Sequence, residues 1–267
     1  MLRDITLGQY YQTESVIHRL DPRVKLAGTL LYIISLFFFQ NFIGYLIAIG
    51  FLAIVIKLSH VPFKFMVKGM KAIVFLLLIT VIFNLFLTPG EALVSLWKLT
   101  ITREGLQTAV TMAVRLIMLV IGSSIMTLTT TPNNLTDGME KGMRPLKVIK
   151  VPVHEVAMMM SIALRFIPIL LEETDKIMKA QIARGADFES GNLIKRAKAL
   201  VPLLVPLFIS AFRRANDLAM AMEARCYRGG EGRTKMKPLL YQKRDRIAYL
   251  CIAVYLVTSI GAGRLTL

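Results

Sequence analysis

Apolar residues run along this chain in long, nearly unbroken stretches. Two of them, Val24 to Gln40 and Asn41 to Ile56, are separated only by a Gln-Asn pair, and each is near the length needed to cross a hydrocarbon core. They predict a helical hairpin. Lys57, Lys64, Lys68 and Lys71 follow, then a third run from Ala72 to Leu87 that breaks at Thr88-Pro89-Gly90. The segment from Glu91 to Glu104 is mixed, holds the single tryptophan, Trp97, and is expected at a membrane surface. A fourth span runs from about Leu106 to Leu128, and a last one from about Ile247 to Gly261. The pattern predicts an all-α integral membrane protein with about five transmembrane helices.

Residues 131–246 follow a different rule. Thr131-Pro132-Asn133 opens a short helix to about Gly142, with Thr131 as cap and Pro132 in the first turn. Pro152 opens a much longer one. On it His154, Ser161, Arg165, Glu172, Lys176 and Lys179 share a narrow sector at 100° per residue, while Met159, Met160, Ala163, Ile167, Leu170 and Met178 fall elsewhere. This predicts an amphipathic helix, bent near Pro168. Asn192 starts another long segment, basic at Lys195, Arg196 and Lys198, then apolar from Ala199 to Phe212, with Pro202 and Pro206 inside. That apolar run is shorter than a spanning helix requires. Two helices of about 30 residues each would reach roughly 45 Å, and they are expected to act as levers along the membrane rather than as spans. The chain thus divides into an amino-terminal arm (1–23), a four-helix membrane region (24–130), a coupling-helix region (131–246), and a final membrane helix with a short tail (247–267).

Composition agrees: 55% of the 267 residues are hydrophobic and the mean hydropathy is +0.59. The net charge of +16 could suggest a nucleic-acid partner, but the basic residues are segregated between apolar spans as the positive-inside rule expects, so no nucleic acid is expected. The arm carries Arg3, Arg19, Arg23 and Lys25, the second loop four lysines and the first loop none, which places the amino terminus in the cytoplasm. Four crossings return residues 131–246 to that side. The polar first twenty residues do not resemble a cleavable signal peptide. Cys226 and Cys251 have no metal-ligand spacing.

Little in the chain suggests catalysis. No apolar span contains Asp, Glu or His, which argues against a proton relay or carboxylate cation site. Walker A, His-Glu-x-x-His and Gly-x-Ser-x-Gly sequences are missing, so the chain is not expected to hydrolyse ATP or to bind a metal. Asp21 before Pro22 reads as a helix cap, with Arg23 and Lys25 as basic anchors. Arg115, the one charge deep in a span, either serves function or pairs with a backbone carbonyl. The feature that stands out is a repeat. Asp175/Asn216, Ile177/Leu218, Ala180/Ala221, Ala183/Ala224 and Arg184/Arg225 match without gaps at one fixed offset. The matched apolar and small residues make one slim helix side that ends in arginine, a tip suited to a groove with an acidic or carbonyl wall.

With these motifs, the sequence resembles the transmembrane (T) component of energy-coupling factor transporters, the EcfT and CbiQ-like family of the ABC class. The likeness runs along essentially the whole chain, through Asp21-Pro22-Arg23-x-Lys25-Leu26, Thr129 to Pro132, Ala163-Leu164-Arg165-Phe166-Ile167-Pro168 and the two Ala-Arg motifs. It implies a non-catalytic coupling subunit in the bacterial cell membrane. Ala183-Arg184-Gly185 and Ala224-Arg225-Cys226 would dock into two ATP-binding subunits, where ATP and magnesium are bound, and the chain would hold a separate substrate-binding membrane subunit for vitamin or metal uptake. Asp21, Pro22, Arg23, Arg115, Arg165 and Pro168 are structural or coupling candidates. Cys226 stands where the family pattern has glycine. A cysteine suits a left-handed cap less well, so the helix is expected to run on toward Gly229-Gly230, which makes Arg228 a rival docking residue. The resulting asymmetry favours two non-identical ATPases. A self-contained secondary transporter and a lipid-binding scaffold are the competing readings.

Overall fold

The apolar runs all fold as helices. The computed structural model describes residues 10–39, 42–96, 99–188, 192–230, 236 and 238–264. In chain order, α1 spans Pro22–Phe38, α2 Phe42–Ser59 and α3 Phe63–Leu87. A hairpin of β1 (Ala92–Leu96) and β2 (Leu99–Thr102) follows, then α4 (Arg103–Thr129), α5 (Pro132–Gly142), a 3₁₀ turn at Arg144–Ile149, α6 (Val153–Ala183), α7 (Leu193–Ala224) and α8 (Lys243–Arg264). The class is all-α as expected, with one local exception. The mixed segment is a two-stranded antiparallel hairpin in which Ser95 pairs with Thr100 and Leu96 with Leu99, consistent with its Val, Ile and Thr content. Trp97 and the first nine residues of the arm lie outside the described residues.

Two units are described separately. The first comprises the described residues of 8–139 and 239–267. Its core joins Tyr32 and Leu36 of α1, Ala48 and Leu52 of α2, Met66 of α3, Met118, Ile121 and Ile125 of α4, and Tyr255 of α8. Phe51 stacks on Tyr255 with ring centroids 4.4 Å apart, and the Tyr255 hydroxyl meets Ser35 Oγ at 2.7 Å. At the end of α3, Thr102 Oγ1 donates to the Thr88 carbonyl at 2.8 Å and accepts from the Gly105 N–H at 3.0 Å, so one hydroxyl closes the hairpin and caps α4.

Three helix ends meet in a junction built on the Asp21 motif. Asp21 caps α1, its Oδ1 accepting from the Arg23 N–H at 2.9 Å. The Arg23 guanidinium grips the same carboxylate with two bonds of 3.0 and 2.8 Å, lies 3.8 Å from the centre of the Tyr241 ring and donates to the Leu239 carbonyl. Asp245, 1% exposed, accepts from the Asp21 N–H at 2.9 Å and from the Gln242 N–H at 2.7 Å. It stands at the third position of α8 and reaches back to the start, half of a capping box. Lys25 Nζ donates to the carbonyls of Thr129 at 2.8 Å and His18 at 3.1 Å, which ties in the end of α4 and the arm. At the other end of α1, Arg115 Nε donates to Tyr45 Oη at 2.9 Å and Nη2 to the Phe39 carbonyl at 3.3 Å. Phe39 is the C-cap of α1, so Arg115 satisfies a helix-end carbonyl and is a structural fastener.

The second unit, residues 140–238, is built on α6 and α7. Pro168 lies inside α6 without ending it, and Pro202 and Pro206 lie inside α7. Ser161, Arg165, Glu172, Lys176 and Lys179 are exposed along α6 as their shared sector predicts. His154 departs from the stripe: its Nδ1 pairs with Glu140 at 3.1 Å, and a Cβ on Gly230 would clash with its ring.

By length and composition, α2, α4, α6 and residues Lys198–Ala224 of α7 could each cross a membrane, and Ile73–Leu87 of α3 is a shorter apolar stretch. This corrects the expectation that α6 and α7 are levers rather than spans: α6 is apolar enough over its 31 residues, and α7 continues through Arg213 and Arg214 and keeps enough apolar residues to qualify. What separates the pairs is cover. In the most apolar windows of α6 and α7 only 11% and 6% of residues are buried, against 28% in both α2 and α4.

Candidate functional site

Both repeat motifs form helix ends of one design. In α6 the Gly185 N–H donates to the Ile182 carbonyl at 2.9 Å and the Ala186 N–H to the Gln181 carbonyl at 2.9 Å. In α7 the Cys226 N–H donates to Glu223 at 2.8 Å and the Tyr227 N–H to Met222 at 3.0 Å. Each is a Schellman motif with alanine as the last helical residue, arginine as the cap and the next residue left-handed, at φ +87° for Gly185 and +55° for Cys226.

The second helix therefore ends at Ala224 and does not run on toward Gly229-Gly230. Two backbone hydrogen bonds hold Cys226 in the left-handed region despite its Cβ. The glycines have other tasks: Gly229 turns the chain at φ +90° and Gly230 leaves room for the His154 ring. Arg225 matches Arg184 in geometry as well as in sequence, and Arg228 lies beyond the cap, exposed. Because a left-handed residue with a Cβ costs about 1–2 kcal/mol, Cys226→Gly should stabilise the chain by roughly 1 kcal/mol. In a thermal melt of the detergent-purified protein that is a rise of about 2–4 °C; an unchanged or lower midpoint would contradict the assigned conformation.

Ala183, Arg184, Gly185, Ala224, Arg225 and Cys226 are all exposed, and neither tip arginine has a side-chain hydrogen bond among the described residues. Their placement follows from two contacts. Gln181 Nε2 donates to the Pro202 carbonyl at 3.3 Å, and Arg214 is paired with Glu173. Rising numbers on α6 meet falling numbers on α7, so the helices are antiparallel and the tips lie at opposite ends of the pair. The ion pair joins residues that are equivalents under the repeat, since 173 is to 184 as 214 is to 225, eleven residues in each case. At 1.5 Å per residue, each tip stands about 16 Å from this contact, on opposite sides. Contact between equivalent positions is the mark of a two-fold arrangement.

The structure thus brings the two tips into one framework in the second unit, with Arg165 and Pro168 on the helix that carries the first. Asp21, Pro22, Arg23 and Arg115 belong to the scaffold of the first unit. Three residues escaped sequence reasoning. Glu173 and Arg214 could have been found by extending the repeat two residues upstream, and Asp245 by its spacing from Gln242 as a helix-start signal. Among the described residues no cluster of His, Cys, Asp or Glu could hold a metal ion.

Helices this long and apolar mark a membrane protein, and the relatives of the chain place it in transport. The model of a family described as cobalt transport protein, CbiQ, matches residues 13–236. The energy-coupling factor transporter transmembrane protein EcfT of Clostridium kluyveri is 58% identical over 262 residues, covering 97% of each chain. Proteins of the same description from Thermosediminibacter oceani and Lactococcus lactis are 52% and 43% identical, each covering 97% of this chain and 98% of the relative. The chain belongs to this family, the transmembrane components of energy-coupling factor transporters.

Proposed function

We propose that the chain is the coupling subunit of an ECF-type ABC importer in a bacterial cell membrane, with its amino terminus in the cytoplasm. The Arg184 and Arg225 tips dock into two ATP-binding subunits, which hold the ATP and magnesium; the chain itself is non-catalytic and carries no cofactor. The α6–α7 pair transmits their motion to a separate substrate-binding membrane subunit that carries a vitamin or metal. The observation that carries this reading is the pair of matched tips, exposed and facing away from one another. One groove could not take both. Two receivers in an approximate two-fold could, and they need not be identical, because the tips differ at Gln181/Met222, Ile182/Glu223 and Gly185/Cys226.

The sparse cover of α6 and α7 supports the second partner. Exposed Met159 and Met160, and Val201, Leu204, Val205 and Phe208, leave apolar surface for another membrane subunit or for lipid. Methionine suits a surface whose contacts must change between states. The test is purification of the chain from its own cells in mild detergent: two ATP-binding chains and a small membrane subunit should copurify, and recovery of the chain without an ATP-binding protein would overturn the proposal.

A further inference from the structure

A slot of about 260 Å³ opens within the first unit, between the arm, α1, α2, α4 and α8. Its lining is apolar along most of its length and cationic at one end. On α1 it is lined by Lys25, Thr29 and Tyr32, and on α8 by Arg244, Ala248 and Cys251. Both sets follow the spacing of one helix face, and both put the basic residue at the amino-terminal end. The slot is therefore directional: seven residues, about 10 Å, separate the cations from the phenol. The amino termini of α1 and α8 lie at the cationic end.

Two polar groups in this lining want a partner. The Tyr32 hydroxyl, on a residue 4% exposed, and Arg244 Nε are both buried without a hydrogen bond among the described residues. The nearby acids are engaged elsewhere, Asp21 by Arg23 and Asp245 by two backbone N–H groups. Lys25 already serves two carbonyls, which leaves Arg244 as the principal free cation at the end of the slot among the described residues. Ile54 and Ile247, both lining residues, are 60% and 62% exposed, so the slot reaches the surface beside α2.

We propose that this slot holds the headgroup-proximal part of one acyl chain of an anionic phospholipid, with the phosphate against Arg244. Apolar walls select a hydrocarbon chain, the cationic end selects negative charge, and an opening beside a membrane helix admits a lipid. A zwitterionic headgroup brings its own cation to the same place and is disfavoured. The bound lipid would brace the junction of α1, α4 and α8 from inside.

Cys251 lines the slot and is exposed, so it reports on occupancy. The full chain, with Cys226→Ala to remove the other thiol, would be alkylated with N-ethylmaleimide in detergent and followed by intact mass. Phosphatidylglycerol should slow Cys251 modification, and phosphatidylcholine of the same chains should do so far less. Arg244→Gln should weaken the phosphatidylglycerol effect about fivefold, the worth of one basic side chain at an anionic surface, and Arg244→Lys should restore most of it. Ala248→Phe, which fills the slot, should slow modification without lipid and abolish the lipid effect. Equal protection by both headgroups, or protection by a free fatty acid but not by phosphatidylglycerol, would overturn the proposal. The comparison of headgroups on the parent chain decides even if a variant fails to fold.

Discussion

Replacing both Arg184 and Arg225 with glutamate should abolish uptake and release the ATP-binding subunits while leaving membrane insertion intact. A hydrogen bond to a charged group contributes about 1.5–3 kcal/mol, so losing two costs at least a hundredfold in affinity even before charge reversal adds repulsion. Neither side chain has a hydrogen bond within the described part of the chain, and the Schellman bonds that shape each tip are made by backbone groups. The tips should keep their form. A carboxylate at a helix carboxyl end is itself unfavourable by about 0.3–1 kcal/mol, so a pair of glutamines at the same positions serves as the control. They should weaken association without the repulsive component. Normal uptake by the double glutamate variant, with wild-type levels of copurified ATP-binding protein, would refute the docking role.

Asp245→Ala should be the most damaging single change to the scaffold. The carboxylate is buried and accepts from the backbone of two different segments, the start of α1 and the turn before α8. Its removal leaves two donors without partners, at about 1–3 kcal/mol each, so a loss of roughly 3 kcal/mol is expected. For a chain of this size that lowers the thermal midpoint by about 6–12 °C, and Asp245→Asn, which keeps one acceptor oxygen, should fall between. A midpoint within a degree or so of the parent would mean that the junction is held by the Arg23–Asp21 grip alone. Asp21→Ala would then be the severe variant.

The helices were legible because their cause is local. Asp21-Pro22 and Thr131-Pro132 mark starts through capping and a fixed φ, and runs such as Phe42–Ser59 declare themselves by length. The tips were legible as a repeat, because equal sequence produced equal caps. The stop of the second helix was less legible, because of Cys226. The preference of glycine for positive φ is a tendency of about 1–2 kcal/mol, and two backbone hydrogen bonds can outweigh it. The residues Asp245, Glu173 and Arg214 carry local signals, a helix start and an extension of the repeat, but their partners 224 and 41 residues away are set by tertiary packing, which those signals do not encode. The hairpin between α3 and α4 was masked because alternating Thr, Leu, Ile and Ser over so few residues fits an interfacial segment equally well.

The Glu173–Arg214 contact, midway between the tips, has a mechanical consequence. Pulls in opposite directions on Arg184 and Arg225, across the helix axes, form a couple with a moment arm of about 16 Å on each side and turn the α6–α7 pair about that contact. Pulls in the same direction produce no net torque there and only carry the pair along. A driver whose two halves move in opposite directions across the helix axes would thus be read by this pair of helices as rotation, and one that moves as a block would be read as drift.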